Sequence, residues 1–140
     1  MASIEIKNSE VIVRAVKERV EAQKRALQQA AADAAAEIVI RTQSGRDVEG
    51  AVFTPYTEPY EKRKAKSGRN TSPPDLTYTG NMLAAIQTDF EETSTGARAR
   101  IFFNSALEAA KAAGNQLKRR FFGLSEEQAK QIAQTIREAK

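Results

Sequence analysis

The sequence IQTDFEETSTGARARIFF, residues 86–103, decides the fold class of this chain. Polar and apolar side chains alternate on either side of a turn at residues 93–96. Successive side chains of a strand point to opposite faces, so this alternation is typical of two paired strands. The apolar faces consist of Ile86, Thr88 and Phe90 on the first strand, and of Ala97, Ala99, Ile101 and Phe103 on the second. The stretch predicts an antiparallel hairpin over about residues 86–103.

Charged residues on the other face of this hairpin indicate its register. Asp89 and Glu91 on the first strand can lie opposite Arg98 and Arg100 on the second. Opposite-charge pairs across strands stabilise a sheet modestly. A two-stranded hairpin is marginal alone, so we expect Ile4–Lys7, residues 51–53 or a neighbouring subunit to extend the sheet.

The N-terminal region, about residues 1–41, is predicted to be dominated by one long helix from Ser9 to about Arg41. Its apolar residues recur on one face at helical spacing. Such a helix is about 50 Å long, whereas a domain of this size has a radius of gyration of about 14 Å. It therefore either projects and is covered by sibling copies, or kinks near Gln23 and packs internally. The stripe assigned to an interface between copies comprises Val16, Val20, Leu27, Ala31 and Ala34.

Residues 42–79 are predicted to be a long, ordered loop, because four prolines interrupt any strand or helix there. A short helical turn fits residues 58–66, with Pro59 at its first position. The predicted anchors of the loop are Phe53, Tyr56, Tyr60, Tyr78 and Gly80, and Lys64–Asn70 is expected to be a mobile tip.

Helices are predicted for the C-terminal part of the chain. A short helix fits residues 81–85, and another runs from Ala106 to Ala113 and ends at Gly114. The last helix starts at Ser125, which forms a capping box with Gln128. Phe121 and Phe122 precede it. Such residues more often belong to the core, but two adjacent phenylalanines in a turn cannot easily both point inward, so both are assigned to the interface between copies, with one of them entering a pocket of a neighbouring copy. The fold class predicted for the single 140-residue domain is α+β.

Three segments carry a resemblance to a known family. They are FTPYTEPYEKRK at residues 53–64, DLTYTGNMLAAI at 75–86 and RFFGLS at 120–125. Their order resembles the phage virion-morphogenesis, or tail-completion, family, which includes proteins similar to the Mu G protein. The resemblance spans about residues 50–125 and implies a structural neck protein that assembles as a ring.

Positive charge is concentrated in two places. Five basic residues lie within eight positions, and a smaller cluster follows at residues 118–120. Exposed charge runs are usually solvated, but these also suit an acidic protein surface or DNA. The assigned contacts are Lys62, Arg63, Lys64, Lys66 and Arg69.

Composition excludes several kinds of site. The chain has no cysteine and no histidine, so disulfides, thiol chemistry and the usual zinc sites are not expected. No phosphate-binding glycine loop occurs. No apolar run reaches the roughly 20 residues that span a bilayer. We therefore expect neither catalysis, nor a metal, nor a cofactor, nor a membrane partner.

The resemblance implies a ring, of six copies by the symmetry of tails or alternatively twelve. Its partners would be a head connector or adaptor and a tail terminator or tail tube protein, with contact to lumen DNA without sequence specificity. The protein would be assembled in the host cytoplasm and located in the virion neck or proximal tail. A basic nucleic-acid-binding module and a dimeric adaptor joined through the N-terminal helix remain alternatives.

Overall fold

The computed structural model describes residues 2–7, 9–16, 21–69, 71, 74, 76, 80–94 and 96–139, including all their side chains except those of residues 2, 3, 15 and 16. The strands are β1 (Ala2–Lys7), β2 (Glu10–Val16), β3 (Ile86–Thr93) and β4 (Gly96–Phe103). The helices are α1 (Glu21–Gln43), α2 (Glu58–Lys66), α3 (Asn81–Ala84), α4 (Ala106–Gln116) and α5 (Glu126–Glu138). The α+β class is confirmed.

The four strands form one antiparallel sheet in the order β1-β2-β4-β3. The predicted hairpin is β3–β4, and its register places Asp89 opposite Arg100 and Glu91 opposite Arg98. Residues 4–7 extend the sheet as one of the expected alternatives, but through β2, which pairs directly with β4.

The predicted helix from Ser9 to Arg41 is wrong in its first part. Glu10–Val16 is strand β2, α1 begins at Glu21 and extends to Gln43, and residues 17–20 lie outside the described residues. β-branched residues fill the start of β2 and favour strands. Val11 and Val13 point into the core and Arg14 points outward, a two-residue alternation that pairing with β1 and β4 stabilises.

The apolar stripe of α1 is covered by the chain itself. Leu27, Ala31 and Ala34 are buried, and Leu27 and Ala31 lie in one cluster with Ala97 and Ala99 of β4. Small side chains on both elements let the helix lie close to the sheet. The assignment of these three residues to an interface between copies is therefore corrected, and α1 does not project as a free stripe. Val20 and the side chain of Val16 lie outside the description.

Phe121 and Phe122 both point inward. Their ring centroids lie 6.1 Å apart, and the Phe122 ring lies 4.8 Å from that of Phe103. The prediction that one of them reaches a neighbouring copy is wrong. Arg41 of α1 holds this turn, because its Nη2 donates to the carbonyl oxygens of Phe121, at 2.8 Å, and Gly123, at 3.1 Å. These two hydrogen bonds hold the backbone of the turn at residues 121–123 in a conformation that places both rings in the core.

Side-chain caps set the starts of α4 and α5. Ser125 and Gln128 form the predicted capping box of α5, and Ser105 caps α4 by accepting from the Glu108 amide. α4 continues through Gly114 to Gln116, contrary to the predicted end. The helical turn predicted for residues 58–66 is confirmed as α2, with Pro59 in its first turn. The region 42–79 also contains the end of α1 and an isolated bridge between Arg46 and Val52, which were not predicted from the sequence.

The outer face of the sheet carries paired charges. Arg14 pairs with Glu5, Arg98 with Glu91, and Arg100 with Asp89 and Glu10. Ile12 lies on this face and is only 3% exposed, because the aliphatic stems of long charged side chains cover apolar surface. Among the described residues, no helix has the length and apolar character needed to cross a membrane.

Candidate functional site

A cleft of about 420 Å³ lies between α2, the residues that precede it, and the end of α4. We call it the basic cleft. Its walls include Tyr56, Thr57 and Tyr60 on one side and Lys111, Lys118 and Arg119 on the other. Aromatic surface and positive charge thus face one open cleft, an arrangement that suits an anionic ligand.

Tyr56 forms the centre of this cleft. Its hydroxyl accepts hydrogen bonds from Lys64 Nζ and from the Leu76 amide, both at 3.1 Å. Lys64 Nζ lies 4.7 Å and Arg119 Cζ 4.9 Å from the centroid of its ring, and the Tyr60 centroid lies 4.7 Å away. Cations near an aromatic face are attracted by the ring quadrupole. These contacts join α2, the segment at residue 76 and the end of α4 around one ring.

Arg119 carries a nearly buried charge, with 8% of its surface exposed. Its Nε donates to the Thr54 carbonyl at 2.8 Å and its Nη2 to the Pro55 carbonyl at 3.0 Å. These acceptors are neutral, and none of the carboxylates in the described part of the chain forms an ion pair with it. Buried charges are normally paired, so this guanidinium favours an external anion.

The predicted basic cluster does not form one surface. Lys64 is fully buried, so its assignment to contact with DNA or an acidic surface is wrong, and so is its place in a mobile tip. Lys62, Arg63 and Lys66 are exposed on α2, whose helical period turns them away from Lys64. Arg69 follows α2 with its amide bonded to the Lys64 carbonyl.

Tyr60 and Arg63 also interact within α2. The guanidinium carbon of Arg63 lies 5.0 Å from the Tyr60 ring centroid, while Lys62 Nζ lies 2.9 Å from a Glu58 carboxylate oxygen. The exposed charges of α2 are therefore partly engaged within the helix.

The predicted anchors of the loop lie at the cleft or beneath it. Phe53 is buried in the core, and Tyr56 and Tyr60 line the cleft. Gly80 precedes α3 with φ of +85°, a left-handed conformation that favours glycine. Tyr78 lies outside the described residues.

The three segments that carry the family resemblance meet in one hydrophobic cluster. Phe53 of the first, Met82 and Leu83 of the second, and Phe122 and Leu124 of the third all belong to it. The first and last of these residues are far apart in sequence, so their meeting is a tertiary feature. The cluster forms the core beneath the basic cleft.

A second charged region, which we call the acidic surface, lies where the end of α1 meets the start of α5. It consists of Glu37, Asp47, Glu49, Glu126 and Glu127. Arg41 lies among them, half-buried, and donates to Phe121, Gly123 and Gln128. Burial lowers the pKa of Arg41, and the charges of Glu37, Asp47 and Glu49 oppose that shift. Lys130 lines the same region and pairs with Glu126 at 3.4 Å. The five carboxylates of this surface thus outnumber Arg41 and Lys130, the cations that line it.

Sequence reasoning grouped Arg119 only with the small cluster at residues 118–120 and did not place it in a site. The sequence signal for Arg119 was its place in the basic run at residues 118–120. Its burial could not be predicted, because it depends on contacts with the carbonyls of residues 54 and 55, far away in the sequence. Within the described ranges, no group of three or more Asp and Glu side chains could hold a metal ion. Comparison of the chain with family models, curated proteins and solved structures finds no match.

Proposed function

We propose that this chain is a structural protein of a phage neck or proximal tail, where it forms a ring that joins the head connector to the tail. Its partners are other copies of itself, the connector or an adaptor on one side, and a tail terminator or tail tube protein on the other. Six copies match the symmetry of tails, and twelve is the alternative. Assembly takes place in the host cytoplasm.

The observation that carries this proposal is the meeting of the three resembling segments in one core. Short strings such as Thr-Gly or Gly-Leu-Ser occur by chance in many proteins. Phe53 of the first segment, Met82 and Leu83 of the second, and Phe121, Phe122 and Leu124 of the third nevertheless pack together in the same cluster. Three short matches whose residues pack against one another support a shared fold with the resembling family better than three unconnected matches do.

The open sheet supplies surfaces for a ring. Its outer strands are β1 on one side and β3 on the other, and the outer edge of such a strand presents backbone groups that another strand can pair with. The two edges differ in sequence, so joining them across copies is a head-to-tail contact, which generates a closed ring when the rotation closes. Sheet extension replaces the α1 stripe as the basis for assembly.

The test is the phenotype of a phage whose gene for this chain is interrupted. We expect filled heads and finished tails that do not join, and electron cryomicroscopy of wild-type particles should show the chain as a ring at the neck. Infectious particles that lack the chain would contradict the proposal.

A nucleic-acid-binding module is the second candidate, favoured by the exposed Lys62, Arg63 and Lys66 on α2. A tight DNA complex whose affinity falls steeply with salt would support it, because phosphate contacts release counterions. The alternative of a dimer joined through the N-terminal helix is not supported. Leu27, at the centre of the helix face proposed for that contact, is fully buried within its own chain.

A further inference from the structure

We infer that the basic cleft of one copy receives the acidic surface of the next copy, so that a head-to-tail charge contact holds neighbouring subunits together. This inference rests on the proposed ring and adds a second pair of surfaces to the pairing of the β1 and β3 edges between neighbouring copies. Every subunit then binds one neighbour through its basic cleft and the other neighbour through its acidic surface.

The basic cleft has the properties of a receptor for carboxylates. The guanidinium of Arg119 is nearly buried and its acceptors are neutral carbonyls, so a carboxylate from outside would neutralise it. Lys118 adds an exposed ammonium at the rim. Tyr56 and Tyr60 keep the volume partly apolar, and a charge-assisted hydrogen bond gains strength where water is excluded.

The acidic surface has the properties of the ligand. Glu49 lies exposed in the turn at residues 47–50, and Glu127 lies exposed in the first turn of α5. Of the two cations that line this region, Arg41 already donates to three oxygens of its own chain, and Lys130 pairs with Glu126 at 3.4 Å rather than with Glu49 or Glu127. These carboxylates therefore remain available to cations outside the chain.

Complementarity within one molecule points to a second copy as the partner. None of the residues of the acidic surface lines the basic cleft, so one copy can use both surfaces at once. A contact between two different surfaces repeats from copy to copy and is the kind that closes into rings. DNA or a different acidic protein would satisfy the cleft, but neither would use the acidic surface.

A first variant weakens the cleft without disturbing its structure. Thr57→Glu and Lys118→Glu together replace one positive charge by two negative ones at exposed positions. The Thr57 side chain makes no capping hydrogen bond, and a carboxylate at the start of α2 is favourable to the helix dipole. Lys111 is left unchanged because it pairs with Glu108. We expect the dissociation constant between subunits to rise at least about tenfold.

A second variant reverses the acidic surface through Glu49→Lys and Glu127→Lys. Alone, it should lose self-association to the same extent. An equimolar mixture of the two variants should regain self-association. The intact acidic surface of the first variant binds the intact basic cleft of the second, and the reversed, now basic, surface of the second binds the reversed, now acidic, cleft of the first. Only a contact between these two surfaces predicts that mutual rescue.

The control matched to the first variant carries the same change in net charge elsewhere on the chain. Arg25→Glu with Gln28→Glu alters exposed positions in the first half of α1 and should assemble as wild type does. Assembly is measured by light scattering and native mass spectrometry at about 50 and 500 mM salt. Wild-type association should be weaker at the higher salt, because salt screens exposed charges.

Two results would overturn the inference. Variants that assemble like wild type would show that other surfaces join the copies, which leaves the proposed neck function standing. A wild-type chain that stays monomeric at every soluble concentration would exclude the contact between copies, and the particle phenotype alone would then decide the neck function. Rescue in the mixture, with particles that do not need the chain, would retain the contact and reject the neck function.

Discussion

Lys64 Nζ lies 3.1 Å from the hydroxyl oxygen of Tyr56 and 4.7 Å from the centroid of its ring. The lysine is fully buried, so a charge that looks solvated in the sequence is part of the interior. The same hydroxyl accepts from the Leu76 amide. One tyrosine therefore connects α2 to a segment that follows it by ten residues and forms the floor of the basic cleft.

Tyr56→Phe should lower the free energy of unfolding by about 1–3 kcal/mol, because it leaves two buried donors without this acceptor. Lys64→Met should also destabilise the protein, and a double-mutant cycle between the two should give a coupling of about 0.5 kcal/mol or more. Urea denaturation measures all three variants. Lys62→Met, at an exposed neighbouring position, is the control and should stay within about 0.5 kcal/mol of wild type. Additive effects of Tyr56→Phe and Lys64→Met would contradict the contact.

Leu27→Ala should cost about 2–5 kcal/mol of unfolding free energy, since it removes a fully buried side chain and leaves a cavity. Leu117→Ala is the matched control, because Leu117 is 89% exposed and its truncation should cost almost nothing. Thermal and urea unfolding measure both. If Leu27 were instead covered by another copy, the variant would keep its monomer stability and lose only assembly.

Arg41→Lys should lower the free energy of unfolding by about 1–3 kcal/mol. An ammonium cannot reproduce the fork that reaches Phe121, Gly123 and Gln128 together. Arg137→Lys, at an exposed position in the last turn of α5, is the control. Equal stability of the two variants would show that the guanidinium does not hold the turn.

Asp89→Asn should change how stability depends on pH. Hydrogen bonding by Arg100, with its Nε 3.0 Å from Asp89 Oδ1, holds the pKa of Asp89 below its ordinary value of 3.8. A lowered pKa in the folded state adds stability above pH 3.8, which is lost as the pH falls through the folded value. The advantage of wild type over Asp89→Asn should therefore be full at about pH 6 and shrink toward about pH 2.

Arg100→Gln tests the cause of that pH dependence. In this background Asp89→Asn should have a smaller effect, because the main cation that lowers the pKa is gone and only the weaker influence of Arg98 remains. Urea unfolding at several pH values measures both backgrounds. A difference between wild type and Asp89→Asn that stayed constant with pH would contradict the assignment.

Some features were predictable because their causes lie within a few residues. The β3–β4 hairpin follows from a two-residue alternation and from acids placed opposite arginines, and the start of α5 follows from Ser125 and Gln128. The error at Glu10–Val16 has a physical reason. Its apolar residues fit a helical stripe that continues into α1, and pairing with β4, more than eighty residues away, selects the strand.

The sequence by itself determined the period of most elements, with β2 as the exception, the cap of α5, and the absence of cysteine and histidine chemistry, because these depend on residue type and short spacing. Only the tertiary structure decided that the α1 stripe faces its own sheet, that Lys64 is buried beside Tyr56, and that Arg119 lies in a cleft. Burial depends on which surfaces meet after the chain folds, and those contacts join residues that no local pattern connects.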